Sequence, residues 1–134
     1  MSYNERVIEE FRGNGGAVTD FKGISLLLIT TTGAQTGVLR TTPLVYLPDG
    51  DRLVVFAANG GADRSPAWYH NLMRAGTAIV ETPGRRYRVS PVLVTAAERD
   101  ELWRRQIDLV PQFAEFRSAT TREIPIVALQ PVSD

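Results

Sequence analysis

The chain has 134 residues, 43% of them apolar, and its fifteen basic side chains are balanced by fifteen acidic ones. It has no cysteine, which excludes disulfides, thiolate metal sites and cysteine nucleophiles. Zero net charge leaves no global field to steer nucleic acid or an anionic membrane, although fourteen of the basic residues are arginine and each can grip a phosphate or carboxylate locally.

The size suits a single domain over residues 1–134, in which residues 1–16 form an N-terminal helix and a glycine-rich lead-in. Asn4 to Phe11 places Val7, Ile8 and Phe11 on one helical face, and Gly13, Gly15 and Gly16 stop the helix. This start is polar and charged and lacks the apolar run of a signal peptide. Ile24 to Thr32 reads as a buried strand, and its pure aliphatic stretch, Leu26 to Ile29, is too short to span a bilayer. A soluble, cytoplasmic protein is expected.

Gly33 to Gly37 reads as a turn, followed by a strand over Val38 to Leu47. Pro43 within it implies an edge or a bulge, because proline cannot donate to a ladder. Pro48-Asp49-Gly50-Asp51 signals a hairpin turn into a strand over Arg52 to Ala58. A loop over Asn59 to Arg64 leads to Ser65-Pro66, read as an N-cap and first helical residue, and a helix ending near Gly76. Thr77 to Thr82 and Arg85 to Thr95 read as strands joined by Pro83-Gly84. Thr95 and Glu98 match a capping box that opens a helix to about Leu109, with Leu102, Trp103, Ile107 and Val110 on its apolar side. Pro111 starts a short helix bearing Phe113 and Phe116, and Ile124 to Leu129 is the last strand. The pattern is α+β and mainly β: about six strands, mostly antiparallel because their connections are short, with three or four short helices. A small barrel hides the edges of such a sheet best.

Five segments could carry chemistry. In Asn59 to Asn71 a Gly-Gly loop runs into a helix start, where free N–H groups suit an anion and Arg64 could add a grip; the plainer reading is an ordinary strand-to-helix connection. In Gly33 to Arg40, Thr36, bent backbone and Arg40 make a candidate phosphate nest; the plainer reading is a hairpin with a solvent-facing arginine. Trp68, Tyr69 and His70 cluster together, and His70, the only histidine, reads as structural because it cannot build a multi-histidine metal site. Arg85, Arg86 and Arg88 read as a solvated rim, with Arg86 and Arg88 on one face and Arg85 and Tyr87 on the other. Phe113 and Phe116 either wall a substrate pocket or fill the core. There is no Walker loop, serine-nucleophile elbow, dinucleotide fingerprint or metal-ligand cluster, so any redox or transfer activity would rely on a bound cofactor.

Read in order, several segments resemble the deazaflavin-dependent nitroreductase family. They are Leu26 to Gly37, Arg40-Thr41-Thr42-Pro43-Leu44, Asn59-Gly60-Gly61-Ala62, Pro66-Ala67-Trp68-Tyr69-His70-Asn71-Leu72 and Arg122-Glu123-Ile124-Pro125-Ile126-Val127. The resemblance implies a split β-barrel and hydride transfer between coenzyme F420, an 8-hydroxy-5-deazaflavin, and a small electron-poor acceptor: an enone, a quinone or a nitroaromatic. It also implies a cofactor site comprising Gln35, Thr36, Gly37, Val38 and Arg40 around the phosphate and tail. The ring system would then lie along Pro43, Leu44, Ala57, Ala58, Asn59, Gly60, Gly61, Ala62, Ser65, Pro66, Trp68 and Asn71. Phe113 and Phe116 would line the substrate pocket, and no catalytic side chain is assigned. The family commonly has basic residues where Gln35 and Val38 stand and tyrosines where Phe113 and Phe116 stand, so a weaker grip on the tail and no proton donor from that helix are expected. The same fold accommodates two rivals, an FMN- or FAD-dependent oxidoreductase and a non-catalytic deazaflavin-binding protein. A monomer or homodimer is expected.

Overall fold

A computed structural model describes residues 1–132. Seven strands form one antiparallel sheet: β1 (Leu26–Thr32), β2 (Leu39–Val45), β3 (Leu47–Asp49), β4 (Arg52–Phe56), β5 (Ala78–Thr82), β6 (Arg85–Leu93) and β7 (Ile126–Pro131), in the order β2-β1-β5-β6-β7-β4-β3. Four helices surround it: α1 (Tyr3–Gly13), α2 (Ala67–Ala75), α3 (Ala96–Leu109) and α4 (Gln112–Ser118). The two edge strands, β2 and β3, are consecutive in the chain and separated only by Tyr46. The sheet therefore curls into a half-open barrel whose seam lies between β2 and the β3–β4 hairpin. Pro43 sits on the edge strand β2, where its missing donor costs no ladder bond.

Alternation sorts the side chains into layers. Leu27, Ile29, Leu53, Val55, Val80, Val89, Val127 and Leu129 fill the barrel interior, which Trp68 and Leu72 of α2 cap. On the outer face Val54, Phe56 and Ile126 pack beneath α3 and α4 against Leu102, Trp103 and Phe113. Leu26 and Leu28 pack outward against Val7 and Phe11 of α1. Strand β1 is thus covered on both sides, which is why its sequence is a continuous apolar run rather than an alternating one. Each of Leu27, Leu28 and Ile29 is fully buried, a contribution of about 1.5–3 kcal/mol apiece.

Three expectations are corrected. The stretch Val38 to Leu47 is two strands, because Tyr46 turns the chain from one sheet edge to the other, so there are seven strands rather than six. Helix α2 starts at Ala67 with Pro66 as its cap residue; Ser65 does not cap it, because its hydroxyl instead accepts from Arg122 Nη1 at 3.2 Å. His70 is exposed, edge-on to Tyr69 with ring centroids 5.4 Å apart, and no described hydrogen bond uses its imidazole. Elsewhere the expected elements hold, with most boundaries shifted by one or two residues. The capping box at Thr95 forms, Glu98 Oε2 accepting from the Thr95 N–H at 3.1 Å.

Candidate functional site

The seam of the barrel is a groove of about 430 Å³. Thr42, Pro43, Leu44 and Val45 of β2 form one wall, and Val110, Phe113 and Phe116 form the other. Phe56, Ala58 and Trp68 lie between these walls, and Phe21 and Ile24 from the lead-in to β1 close one end. The lining is mostly apolar, and its one carboxylate, Asp20, accepts from the Tyr3 hydroxyl at 2.9 Å.

Asn59, Gly60 and Pro66 border the groove, and the loop that holds them is fastened from behind. The Arg122 guanidinium donates to the carbonyls of Ala57 (3.0 Å), Ala58 (3.2 Å), Ala62 (2.9 Å) and Arg64 (3.2 Å) and to the Ser65 hydroxyl. Asn59 Nδ2 also donates to the Arg64 carbonyl, at 3.1 Å. Asn59, Gly60 and Gly61 all have positive φ, at 50°, 63° and 88°. Gly61 is required twice over: its φ suits glycine, and a Cβ there would stand 2.7 Å from the Ala119 Cβ and 3.1 Å from the Phe116 carbonyl. This bend turns the N–H groups of Asn59 and Gly60 away from every described acceptor at the edge of the groove.

The glycine-bracketed turn is also internally fixed. Gly33 N–H donates to Val38 O (2.8 Å), Gly37 N–H to Gly33 O (2.9 Å) and Val38 N–H to Thr36 Oγ1 (3.2 Å). Asn71, buried on α2, accepts from the Ala34 N–H at 3.0 Å and so ties the turn to the helix that caps the barrel. The N–H groups of Gln35 and Thr36 and the exposed Arg40 guanidinium have no partner among the described residues. In the β1–β2 register Arg40 pairs with Thr31, which puts it on the same face as Thr42 and Leu44. It lies three residues, about 10 Å, along β2 from Pro43.

The expected site residues therefore fall into three groups. Pro43, Leu44, Ala58, Asn59, Gly60, Pro66, Trp68, Phe113 and Phe116 line one groove. Gln35, Thr36, Gly37, Val38 and Arg40 are exposed at the far end of β2. Ala57, Gly61, Ala62, Ser65 and Asn71 do not line the groove: Ala62 is exposed, and Ala57 is fully buried toward the barrel interior, where its N–H donates to Pro125 O. The two readings of Phe113 and Phe116 both apply, since Phe113 is core and groove wall at once, with Phe116 edge-on to it at 5.1 Å. Arg64 contributes its carbonyl to the described contacts, not its guanidinium. Sequence reasoning missed the N-terminal wall of Phe21 and Ile24 and the role of Arg122, a lone arginine just ahead of a strand with no local signal of its acceptors.

Among the described residues no three metal-ligating side chains converge, and no helix is long and apolar enough to cross a membrane.

The family model for F420H(2)-dependent quinone reductases matches residues 3–131. An F420H(2)-dependent quinone reductase of Mycobacterium tuberculosis is 38% identical over 108 residues, covering 77% of this chain and 71% of that one. Among solved structures, an F420-H2-dependent reductase superposes with a TM-score of 0.71 at 27% identity, covering 79% of this chain and 94% of that one. A second, described as a domain-swapped dimer, superposes with a TM-score of 0.73 at 26% identity, covering 94% and 92%.

Proposed function

The chain belongs to the F420H(2)-dependent quinone reductase family, and from that premise we propose that it passes a hydride from reduced coenzyme F420 to a small quinone held in the seam groove. The observation that carries this reading is an open apolar slot on one stretch of β2 and, at the other end of the same strand, a fixed turn that presents two free N–H groups and a guanidinium. That arrangement suits a planar heterocycle with an anionic tail. Bound and reduced, the deazaflavin supplies a hydride from the carbon that replaces the central nitrogen of a flavin.

The protein's part is positioning and electrostatics. We assign Pro43, Leu44 and Trp68 to the faces and edge of the ring system, and Arg40 with the Gln35 and Thr36 amides to the phosphate and tail. Phe113 and Phe116 form the apolar wall against which the acceptor stacks, within the ~3–3.5 Å that a near-attack arrangement requires. The Asn59 and Gly60 N–H groups are the donors available to an oxygen that gains charge as the acceptor is reduced. Asparagine at φ 50° and glycine at φ 63° hold them there in advance, so no reorganisation is needed when that charge develops. Neither phenylalanine carries a hydroxyl, and Asp20 is engaged by Tyr3, so the proton that completes quinone reduction comes from water at the open mouth. Among acceptors, a quinone asks least of this site, because its reduced oxygen can protonate in solvent. A nitro group needs several proton deliveries that the phenylalanine wall does not provide.

The test is a fluorescence titration of the apoprotein with oxidised coenzyme F420, followed by turnover of the reduced coenzyme against benzoquinone, an enone and a nitroaromatic. Saturable micromolar binding with quinone turnover leading the panel is expected. No saturable binding, or saturable binding of FMN in its place, overturns the cofactor site. Tight binding without turnover of any acceptor leaves a carrier protein instead.

A further inference from the structure

On the side of α4 away from the groove, Arg99 of α3, Arg117 of α4 and Arg122 converge on a cleft of about 350 Å³ with Thr120, Glu123, Ile124 and Trp103. The charges there do not balance locally. Arg122 has no carboxylate within ion-pair distance among the described residues, its acceptors being carbonyls and a hydroxyl. Arg99 donates from Nη2 to the Ile124 carbonyl at 2.8 Å and meets Glu123 through Nε at 3.2 Å, which leaves Nη1 without a described partner. Among the described residues Arg117 approaches only one carboxylate, Asp100, at 3.7 Å, beyond hydrogen-bond reach, and that carboxylate is 97% exposed. Its guanidinium lies over the Trp103 ring, 4.9 Å from the centroid, which fixes its plane without using its N–H donors. Trp103 itself is 1% exposed, and its indole N–H has no hydrogen-bond partner among the described residues.

Arg99 and Arg117 present two guanidiniums to one cleft, with the positive charge of Arg122, whose donors are spent on the loop, beside them, and like charges so placed repel unless a shared anion sits between them. The two carboxylates that approach the guanidiniums, Glu123 and Asp100, are solvent-exposed, as is Asp63, which accepts from the Thr120 hydroxyl, and exposed pairs of this kind contribute little. We propose that the cleft is a second anion site, separate from the cofactor groove, and that it takes a small doubly charged oxyanion of the phosphate type. Arg117 supplies an uncommitted planar fork and Arg99 the two N–H groups of its free Nη1, while the Thr120 hydroxyl at the rim donates to Asp63 at 3.2 Å and takes no part. Cation–π stacking on Trp103 pre-orients the fork, so little side-chain freedom is lost when the ion binds.

The inference does not depend on the cofactor assignment, and calorimetric titration of the protein with inorganic phosphate tests it. Citrate serves as a carboxylate probe, and chloride at matched ionic strength as a control. Saturable binding at millimolar phosphate is expected, weakened about tenfold or more in Arg117→Gln and retained in Arg40→Ala, which removes only phosphate held at the β2 turn. Arg99→Gln should weaken it less. In a nitrogen–proton correlation spectrum the Trp103 indole resonance should move with phosphate while that of Trp68, in the groove, stays put. Stronger binding of citrate would reassign the ligand to a carboxylate and overturn the phosphate preference. Equal heats with chloride, an unchanged Arg117→Gln, or loss of binding in Arg40→Ala would overturn the site itself. Arg117 is half exposed, so its replacement leaves the core intact. Should Arg117→Gln nonetheless unfold, the indole shifts of the unmodified protein decide the matter.

Discussion

Arg122 reaches four carbonyl oxygens and one hydroxyl of the loop from Ala57 to Ser65. Truncating it strands several acceptors at once, and each stranded buried group costs about 1–3 kcal/mol. Arg122→Ala is therefore expected to lose about 2–4 kcal/mol in denaturant melts and to bind coenzyme F420 more weakly, because the Asn59–Gly60 bend loses its backing. Arg122→Lys should recover little, since a point ammonium cannot fork to both sides of the loop. Recovery of stability by lysine would refute the bracing role. Arg40 behaves oppositely. It is exposed and has no described partner, so Arg40→Ala should leave stability unchanged while weakening cofactor binding by about 1.5–3 kcal/mol, read by the same fluorescence titration. The contrast explains what could be read in advance. Arg40 follows a glycine-threonine turn, a local signal of an anion site. Four of the five acceptors of Arg122 are backbone carbonyls 58 to 65 residues away, for which no residue type codes.

The β3–β4 hairpin is fastened to α3 by charge. Asp49 accepts from Arg52 Nε at 2.7 Å and from Arg105 Nη1 at 2.9 Å, and Arg52 Nη2 continues to Glu98 Oε1 at 2.7 Å. The hydrogen bonds from Arg105 and then Arg52 hold the Asp49 carboxyl below its ordinary value of 3.8. A carboxylate with a depressed native pKa stabilises the fold above its unfolded pKa, and that contribution disappears as pH falls through the native value. Asp49→Asn should accordingly lower Tm at neutral pH, and the gap to the unmodified protein should close as the solution is acidified from about 4 downward. A gap that persists at pH 2 would show that packing, not charge, sets the difference. At this scale the sequence spoke through local grammar. The Thr95–Glu98 box was readable because both partners lie within one helical turn, whereas the second oxygen of Glu98, turned to Arg52 across 46 residues, was not. The start of α2 was misread for the same reason: Ser65 has the composition of a cap, but a distant guanidinium engages its hydroxyl first.

For the whole molecule, the seam is the feature that the order of strands creates. Two sheet edges stand either side of Tyr46 without pairing, and the apolar surfaces of β2 on one side and of Val110, Phe113 and Phe116 on the other face a common opening. Strand count and short connections made a barrel legible, and Pro43 marked an edge. That the barrel fails to close depends on β1 pairing forward with β5 and on β7 returning beside β4, long-range choices that a local pattern does not encode. A ligand seated in the seam contacts both sides and so binds the folded state alone. Mass action then requires stabilisation: coenzyme F420 at a hundred times its dissociation constant adds about 2.7 kcal/mol. For a domain of this size that corresponds to a rise in Tm on the order of 10 °C. FMN at the same concentration should give no comparable rise, and Arg40→Ala should need proportionately more coenzyme to reach the same shift. An equal rise with FMN would make the slot a general flavin site. No rise with either, at concentrations where fluorescence reports saturation, would place the bound coenzyme outside the seam.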